Sequence, residues 1–339
     1  MTFRFCDGFD SYSSASQLVS KWSSGSNLAY NATGGRFGGG ALTNALTSLG
    51  STLLSRGVSI PSGAKVRIGF SIKYAAGQTG NPTTSAYIFG LNTNCILHLN
   101  GAGLLSVSAL GSSTIQFTSS TAVSDNNWHW VELECYLNGA SSTAQLYIDG
   151  VLQNSVTTTI GSAQAISSVN VGLGAGNATV GTAFIDDVIV WDDQGSTFNT
   201  FPLGPRRIST LVPNADGDLV QFSPKTGTSH FAMVNGGYAS TNYVSDTGTG
   251  NTELFRFPSL SYSPTSLNAV VGNYFGQNTG SGSTNLIPKL KTSGTTASGS
   301  TLTLTVGANS LLQSPFVTDA GGAAWTASAV NAMQLGMGS

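Results

Sequence analysis

Glu132 and Glu134 stand two residues apart in the run Trp128-His129-Trp130-Val131-Glu132-Leu133-Glu134. On a strand that spacing projects both carboxylates from one face, about 6.5 to 7 Å apart. The separation overlaps that of a glycosidase acid and base. A strand face that meets solvent is the competing reading, and three features favour it. The place of a third acid on that face is taken by Tyr136, the only other glutamate is Glu253, and no aromatic-rich cleft is legible nearby. Acids also gather at Asp186, Asp187, Asp192 and Asp193, where they could offer oxygen ligands to calcium. Alternation sends Asp186 and Asp187 to opposite faces, so a single ion takes both only across a bulge. A turn and a strand end account for them without an ion. Asp216-Gly217-Asp218 reads as a turn and lacks the acidic series of a calcium loop.

His98, His129 and His230 are far apart and share no ligand spacing, which argues against zinc. His129 is expected to pack between Trp128 and Trp130. No serine sits in a G-x-S-x-G elbow, and the glycines at 34, 35 and 38 to 40 have neither the lysine of a phosphate loop nor a following helix. They read as a tight edge turn, where missing side chains let a backbone come close to a partner. For glycan binding, Trp22, Tyr30 and Trp191 are the aromatic rings expected to stack on sugars. No catalytic residue, metal ligand or cofactor site is assigned.

The elements that must carry these residues are strands. Val66, Ile68, Phe70, Ile72 and Tyr74 alternate with Arg67, Gly69, Ser71 and Lys73, the pattern of a strand with one buried face. Val131, Leu133, Cys135 and Leu137 form a second inward set, with Glu132 and Glu134 outward. Asp149-Gly150 sits between two strand-like runs and is the strongest hairpin signal, because a type I′ turn needs positive φ at both central residues. Residues 169–173 and 184–193 complete a first strand series. Helical turns are expected only at 14–22 and 326–332. Two prolines interrupt the pattern in GSTFNTFPLGP at 195–205, where a linker is expected. A second series follows: RRISTLV, ELFRF, LNAVVGNYF, LIPKLKT, STLTLTV, LLQSPFV and AMQLGM. The expected fold is all-β, two sandwich or jelly-roll domains in tandem, at 1–195 and 206–339.

Composition narrows the partners. Only 8% of the 339 residues are charged and the formal net charge is −2, so no basic field attracts nucleic acid or an anionic membrane. A surface solvated by hydroxyls and amides suits a protein packed against neighbours. The start, MTFRFCDGFDSY, has no apolar core of an export signal, and no run approaches a membrane span. Cys6, Cys95 and Cys135 are odd in number and widely spaced, and are expected as small buried apolar groups rather than a disulfide framework.

CDGFDSY, GRFGGGAL at 35–42, NNWHWVELE, LYIDGVL and FIDDVIVWDD follow one another in an order that resembles the laminin G-like, concanavalin A-like jelly-roll domain, over residues 3–195. Arg207 to Gly217, Tyr243 to Ser245 and Ala324 to Gly336 resemble a module common in bacteriophage virion proteins, over residues 203–338. Pro205 and Asn235-Gly236-Gly237 replace acids usual in that module, so any ionic contact they make in relatives is not carried over. The resemblance implies a non-enzymatic virion protein: a capsid decoration, head fibre, or neck- or tail-associated appendage. Its partners would be other virion proteins, and it would form a homo-oligomer, with a trimer as the state implied by analogy. A carbohydrate-binding module touching host surface glycans is the alternative.

Overall fold

The structure, a computed structural model, describes residues 2–43, 52–75, 86–92, 94–100, 102–109, 114–174, 183–195, 200–238, 241–281 and 284–339. The chain divides into two compact units, Met1–Thr210 and Leu211–Ser339.

The first unit is a jelly roll of two antiparallel sheets. One runs in the order Val151–Thr158, Ser142–Ile148, Asp125–Tyr136, Lys65–Ala75, Ala183–Asp192, Ala41–Thr43 and Ala29–Asn31, and Phe3–Asp7 also pairs with Ala183–Asp192. The other runs Ile115–Ala122, Leu104–Ser108, Ile96–Leu99, Ala86–Leu91, Ile166–Gly174, Thr52–Ile60 and Ser24–Ser26. Both expected inward sets are buried, Val66 to Tyr74 on one strand and Val131 to Cys135 on the next. Their pairing, Val131 with Phe70 and Leu133 with Ile68, aligns the two rows on one face. Asp149 and Gly150 take φ of 51° and 80° and join Ser142–Ile148 to Val151–Thr158 as a tight hairpin.

Cys95 and Cys135 are bonded to one another, with Cα atoms 7.0 Å apart. This corrects the reading of all three cysteines as unbridged. The bond ties the strand Asp125–Tyr136 of one sheet to the start of Ile96–Leu99 in the other, a closeness created by sheet packing and invisible in the forty-residue spacing. Cys6 is buried outside that bond.

The second unit has one main sheet, ordered Ala215–Val220, Thr252–Arg256, Gln334–Gly338, Thr284–Thr292 and Thr295–Ser298, with Leu302–Leu304 also on Thr284–Thr292. Two short ribbons accompany it: Ser223–Pro224 with Val244–Ser245, and Val270–Gly276 with Ser310–Phe316. Its core gathers Leu290, Phe316, Trp325, Val330, Met333 and Leu335. The helix Ala327–Ala332 begins where expected because the Thr326 hydroxyl accepts the Ala329 N–H at 3.1 Å. RRISTLV is not a strand: residues 206–210 belong to the first unit and form no strand ladder among the described residues. Of the expected linker, residues 196–199 lie outside the described residues, while 201–205 lie on the first unit.

Candidate functional site

The outer face of the larger sheet carries Arg67, Gly69 and Ser71 on one strand, and Trp130, Glu132 and Glu134 on its neighbour. Glu132 faces Gly69 across the register, and Gly69 is needed there: a Cβ would stand 2.5 Å from Cζ2 of Trp130, whose ring lies over it. Neither glutamate meets solvent. Glu132 is 0% exposed and Glu134 3%, which overturns the expected solvated face.

The reason lies seventy residues away. Residues 201–208 fold back over this face, and the Leu203 and Gly204 amides donate to the two oxygens of Glu132 at 2.6 and 2.9 Å. Phe201 packs against Tyr147 and Trp191 at ring distances of 5.3 and 6.4 Å, with the Arg67 guanidinium 5.4 Å from its centre. Glu134 is held by Arg67 at 2.7 Å and Lys65 at 3.0 Å. Burial raises the Glu132 carboxyl above its usual range, against the pull of the two amides.

The strap also engages the aspartates. A register shift between Asp186 and Ile189, with Asp187 at φ 54°, supplies the bulge that puts both carboxylates on one side. Asp187 accepts the Ile208 amide at 2.7 Å and the Ser71 hydroxyl at 3.2 Å, while Asp186 accepts the Arg36 amide at 2.8 Å. Arg36 in turn donates to the Arg206 carbonyl at 3.0 Å. Burial, then mutual repulsion, raises Asp186; burial also raises Asp187, opposed by the Ile208 amide and Arg36. Asp192 takes the Arg4 guanidinium at 2.7 Å, and Asp193 the Lys65 amide at 2.9 Å. Among the described residues, no group of three His, Cys, Asp or Glu is placed to hold a metal ion.

The aromatic rings expected to stack on sugar are placed otherwise. Trp22 is 1% exposed: its ring stacks with Phe9, and its N–H donates to the buried Asp7 at 2.8 Å, beside Lys21 and Tyr12. Trp191 is 0% exposed. A ring covered on both faces has none to offer a sugar, so both assignments are corrected. Tyr30 is half-buried and donates its hydroxyl to the carbonyls of Tyr12 and Phe9 at 2.8 and 3.2 Å. The glycine stretch is the tight turn expected, closed by Gly35 N–H to the Gly39 carbonyl at 2.7 Å. It displays Phe37, half exposed, with the Arg207 and Arg36 guanidinium groups 4.1 and 5.0 Å from its ring.

His129 does not pack between tryptophans. Its two ring nitrogens meet Asp149 at 2.7 Å and Asp125 at 2.9 Å, bridging the hairpin to the strand start. Partial burial lowers the imidazole, but the two carboxylates outweigh it and the net shift is upward. Beyond Glu134 on the outer face, Thr143, Gln145, Ser155, Val156 and Thr157 line a shallow depression of about 130 Å³.

Residues 57–196 match a family model described as the concanavalin A-like lectin/glucanases superfamily. No curated protein sequence matches the chain. Among solved structures, it is similar to alginate lyase Aly36B, at 12% identity and a TM-score of 0.41, over 55% of this chain and 96% of that one. It is also similar to the binding domain of Paraclostridial Mosquitocidal Protein 1, at 10% identity and a TM-score of 0.38, over 69% of each chain. A third is the carbohydrate binding module CBM66 from Bacillus subtilis, at 16% identity and a TM-score of 0.32, over 49% of this chain and 92% of that one.

Proposed function

We propose that the chain is a non-enzymatic structural component of a bacteriophage particle: a capsid decoration or head fibre, or a neck- or tail-associated appendage. The observation that carries the non-enzymatic part is the outer face of the larger sheet. Catalysis there would need a carboxylate open to substrate and free to exchange a proton. Glu132 instead accepts two backbone amides under the strap, and Glu134 is held by Arg67 and Lys65. The particle part draws on the resemblance of residues 203–338 to a phage virion module and on a chain with 8% charged residues, suited to life against neighbours. Peptide mass spectrometry and immunogold labelling of purified particles test it. The chain should be present in stoichiometric copies at one location; its absence from particles overturns the assignment.

A second reading is supported by the lectin/glucanase family match and by the polar depression on the same face. Hydroxyl and amide groups such as Thr143, Gln145, Ser155 and Thr157 can exchange hydrogen bonds with sugar hydroxyls. An outer particle protein can also hold a host glycan, so the two readings coexist. Glycan-array binding lost in Gln145→Ala supports this one, and an array without binding removes it.

A further inference from the structure

We propose that residues 201–208 are an autoinhibitory strap, holding closed one end of a groove for a neutral oligosaccharide whose open end is the depression at Thr143, Gln145, Ser155 and Thr157. This deepens the glycan reading and rests on it.

Register makes the covered face and the depression one surface. Gln145 stands opposite Glu134 and Tyr147 opposite Glu132, and on the edge strand Ser155 stands opposite Gln145. Side chains paired in this way share a sheet face. The row that lines the depression therefore runs on beneath the strap, where Phe201 packs against Tyr147 and the Leu203 and Gly204 amides meet Glu132. The strap sits there as a bound peptide sits, through one aromatic anchor and its own backbone donors.

It fills that seat incompletely. The indole N–H groups of Trp130 and Trp191 and the Nε of Arg206 are buried, and among the described residues none of them meets an acceptor. Trp130 precedes Glu132 by two residues on the same strand, and its N–H lies near enough to help lower the Glu132 carboxyl without reaching hydrogen-bond geometry. Trp191 lies beside Phe201. Buried donors without acceptors cost free energy. A strap that satisfies the carboxylate and leaves the indoles unmet is a replaceable occupant.

Sugar hydroxyls supply what the strap lacks. A hydroxyl both donates to a carboxylate and accepts from an indole N–H, and it rotates to suit either partner. The Trp130 ring, lying over Gly69, offers a flat apolar surface to a sugar once the strap is lifted. Lys65 and Arg67 balance Glu132 and Glu134 along the floor, so no field selects a charged ligand. Glu134 stays paired with both cations, which suits holding a ligand rather than cleaving it.

Phe201→Ala with Leu203→Pro, made in the full chain, tests the proposal by removing the ring anchor and one of the two amides on Glu132. Acrylamide quenching of tryptophan fluorescence should rise as Trp130 and Trp191 are uncovered. On an array of neutral oligosaccharides, the double variant should bind its best ligand at least ~10-fold more tightly than the wild type, because apparent affinity scales with the fraction of chains whose groove is open. Adding Glu132→Gln should abolish that gain. Equal affinity of the wild type and the opened variant overturns the role of the strap and leaves the glycan reading standing, whereas binding by neither removes both. A gain that survives Glu132→Gln puts the sugar elsewhere and also overturns the proposal. Should the double variant lose cooperative unfolding, Phe201→Ala alone replaces it. Quenching that stays at the wild-type level then counts against the proposal, since the contacts named would not be what holds the strap.

Discussion

Glu132 in the first unit and Glu253 in the second solve the same problem with different partners. Both are 0% exposed, and each receives two consecutive backbone amides from a segment that returns to its strand. For Glu132 these are Leu203 and Gly204, one to each oxygen. For Glu253, Gln221 and Phe222 share one oxygen at 2.9 and 3.0 Å, and the other meets His230 Nδ1 at 2.9 Å. With Glu134, these are the only glutamates in the chain, and all three are buried. A protein with so few charges therefore uses its glutamates as clasps. The difference is that the Glu253 clasp includes an imidazole, while that of Glu132 consists of uncharged donors alone.

The largest effect is expected from removing the all-amide clasp. Glu132→Ala leaves the Leu203 and Gly204 amides facing a vacated cavity, and each hydrogen bond to a charged group is worth roughly 1.5–3 kcal/mol. Urea unfolding should show a loss of about 3 kcal/mol in the transition of the first unit, with protease nicking between 200 and 210. An unchanged midpoint would mean that the strap is held by Phe201 and Ile208 without the carboxylate. Glu253→Gln should cost less, about 2 kcal/mol, because the amide oxygen can still accept the Gln221 and Phe222 amides. Its loss should appear in the transition of the second unit. If both variants shift one common transition, the two clasps do not serve separate units.

What sequence patterns could reach stops at this clasp. Alternation placed Val66 to Tyr74 and Val131 to Cys135 on the core face because those signals are local. The Asp149-Gly150 turn and the Thr326 cap are equally local, each set by a few neighbouring dihedrals. The outer face was misread because a strand pattern gives sidedness and not what covers the second side. Only the return of 201–208 turns a charged strand face into a buried one. Trp22 and Trp191 were misplaced for the same reason: Asp7 and the strap enclose rings that local context leaves open. The Asp186–Asp187 bulge was foreseen only as a condition for both to share a side.

The space above Gly69 offers a steric probe of the same face. Gly69→Ala drives a methyl group into the Trp130 ring, and overpacking of this kind costs about 1–3 kcal/mol. The loss should accompany a red-shifted tryptophan emission as the strap lifts. A stable variant with native emission would show that the ring can slide without disturbing the Glu132 clasp.

Acidification acts on the first unit more gently, and the raised Glu253 gives the second unit a contribution of the same sign. Asp186, Asp187 and Glu132 all have folded pKa values above their unfolded ones, chiefly through burial. The folded state therefore binds more protons between the two, and stability falls as pH rises through that window. His129, raised by Asp149 and Asp125 against the effect of burial, has the same sign: its contribution is full below the unfolded value and lost above the folded one. The first unit should gain on the order of 1 kcal/mol between about pH 8 and pH 5.5, and Asp186→Asn should remove part of that gain. His98, lowered by burial, works in the opposite direction, so a thermal midpoint that falls on acidification would mean that it outweighs the four raised groups.

The smallest effect belongs to an exposed residue with two charged partners. Asp218 meets Arg256 at 2.5 Å and Lys291 at 2.7 Å, and these contacts, Lys291 foremost, hold its carboxyl below the usual range. Yet all three side chains reach solvent, where water and salt screen the pair and the side chains lose entropy in meeting. Asp218→Asn should leave the unfolding midpoint of the second unit unchanged at physiological salt, while Glu253→Gln beside it on the sheet moves it. If Asp218→Asn instead matched Glu253→Gln, charge would outweigh burial in this unit. The contrast between its clasp and that of Glu132 would then lie in the ion pairs around the sheet rather than in the amides beneath it.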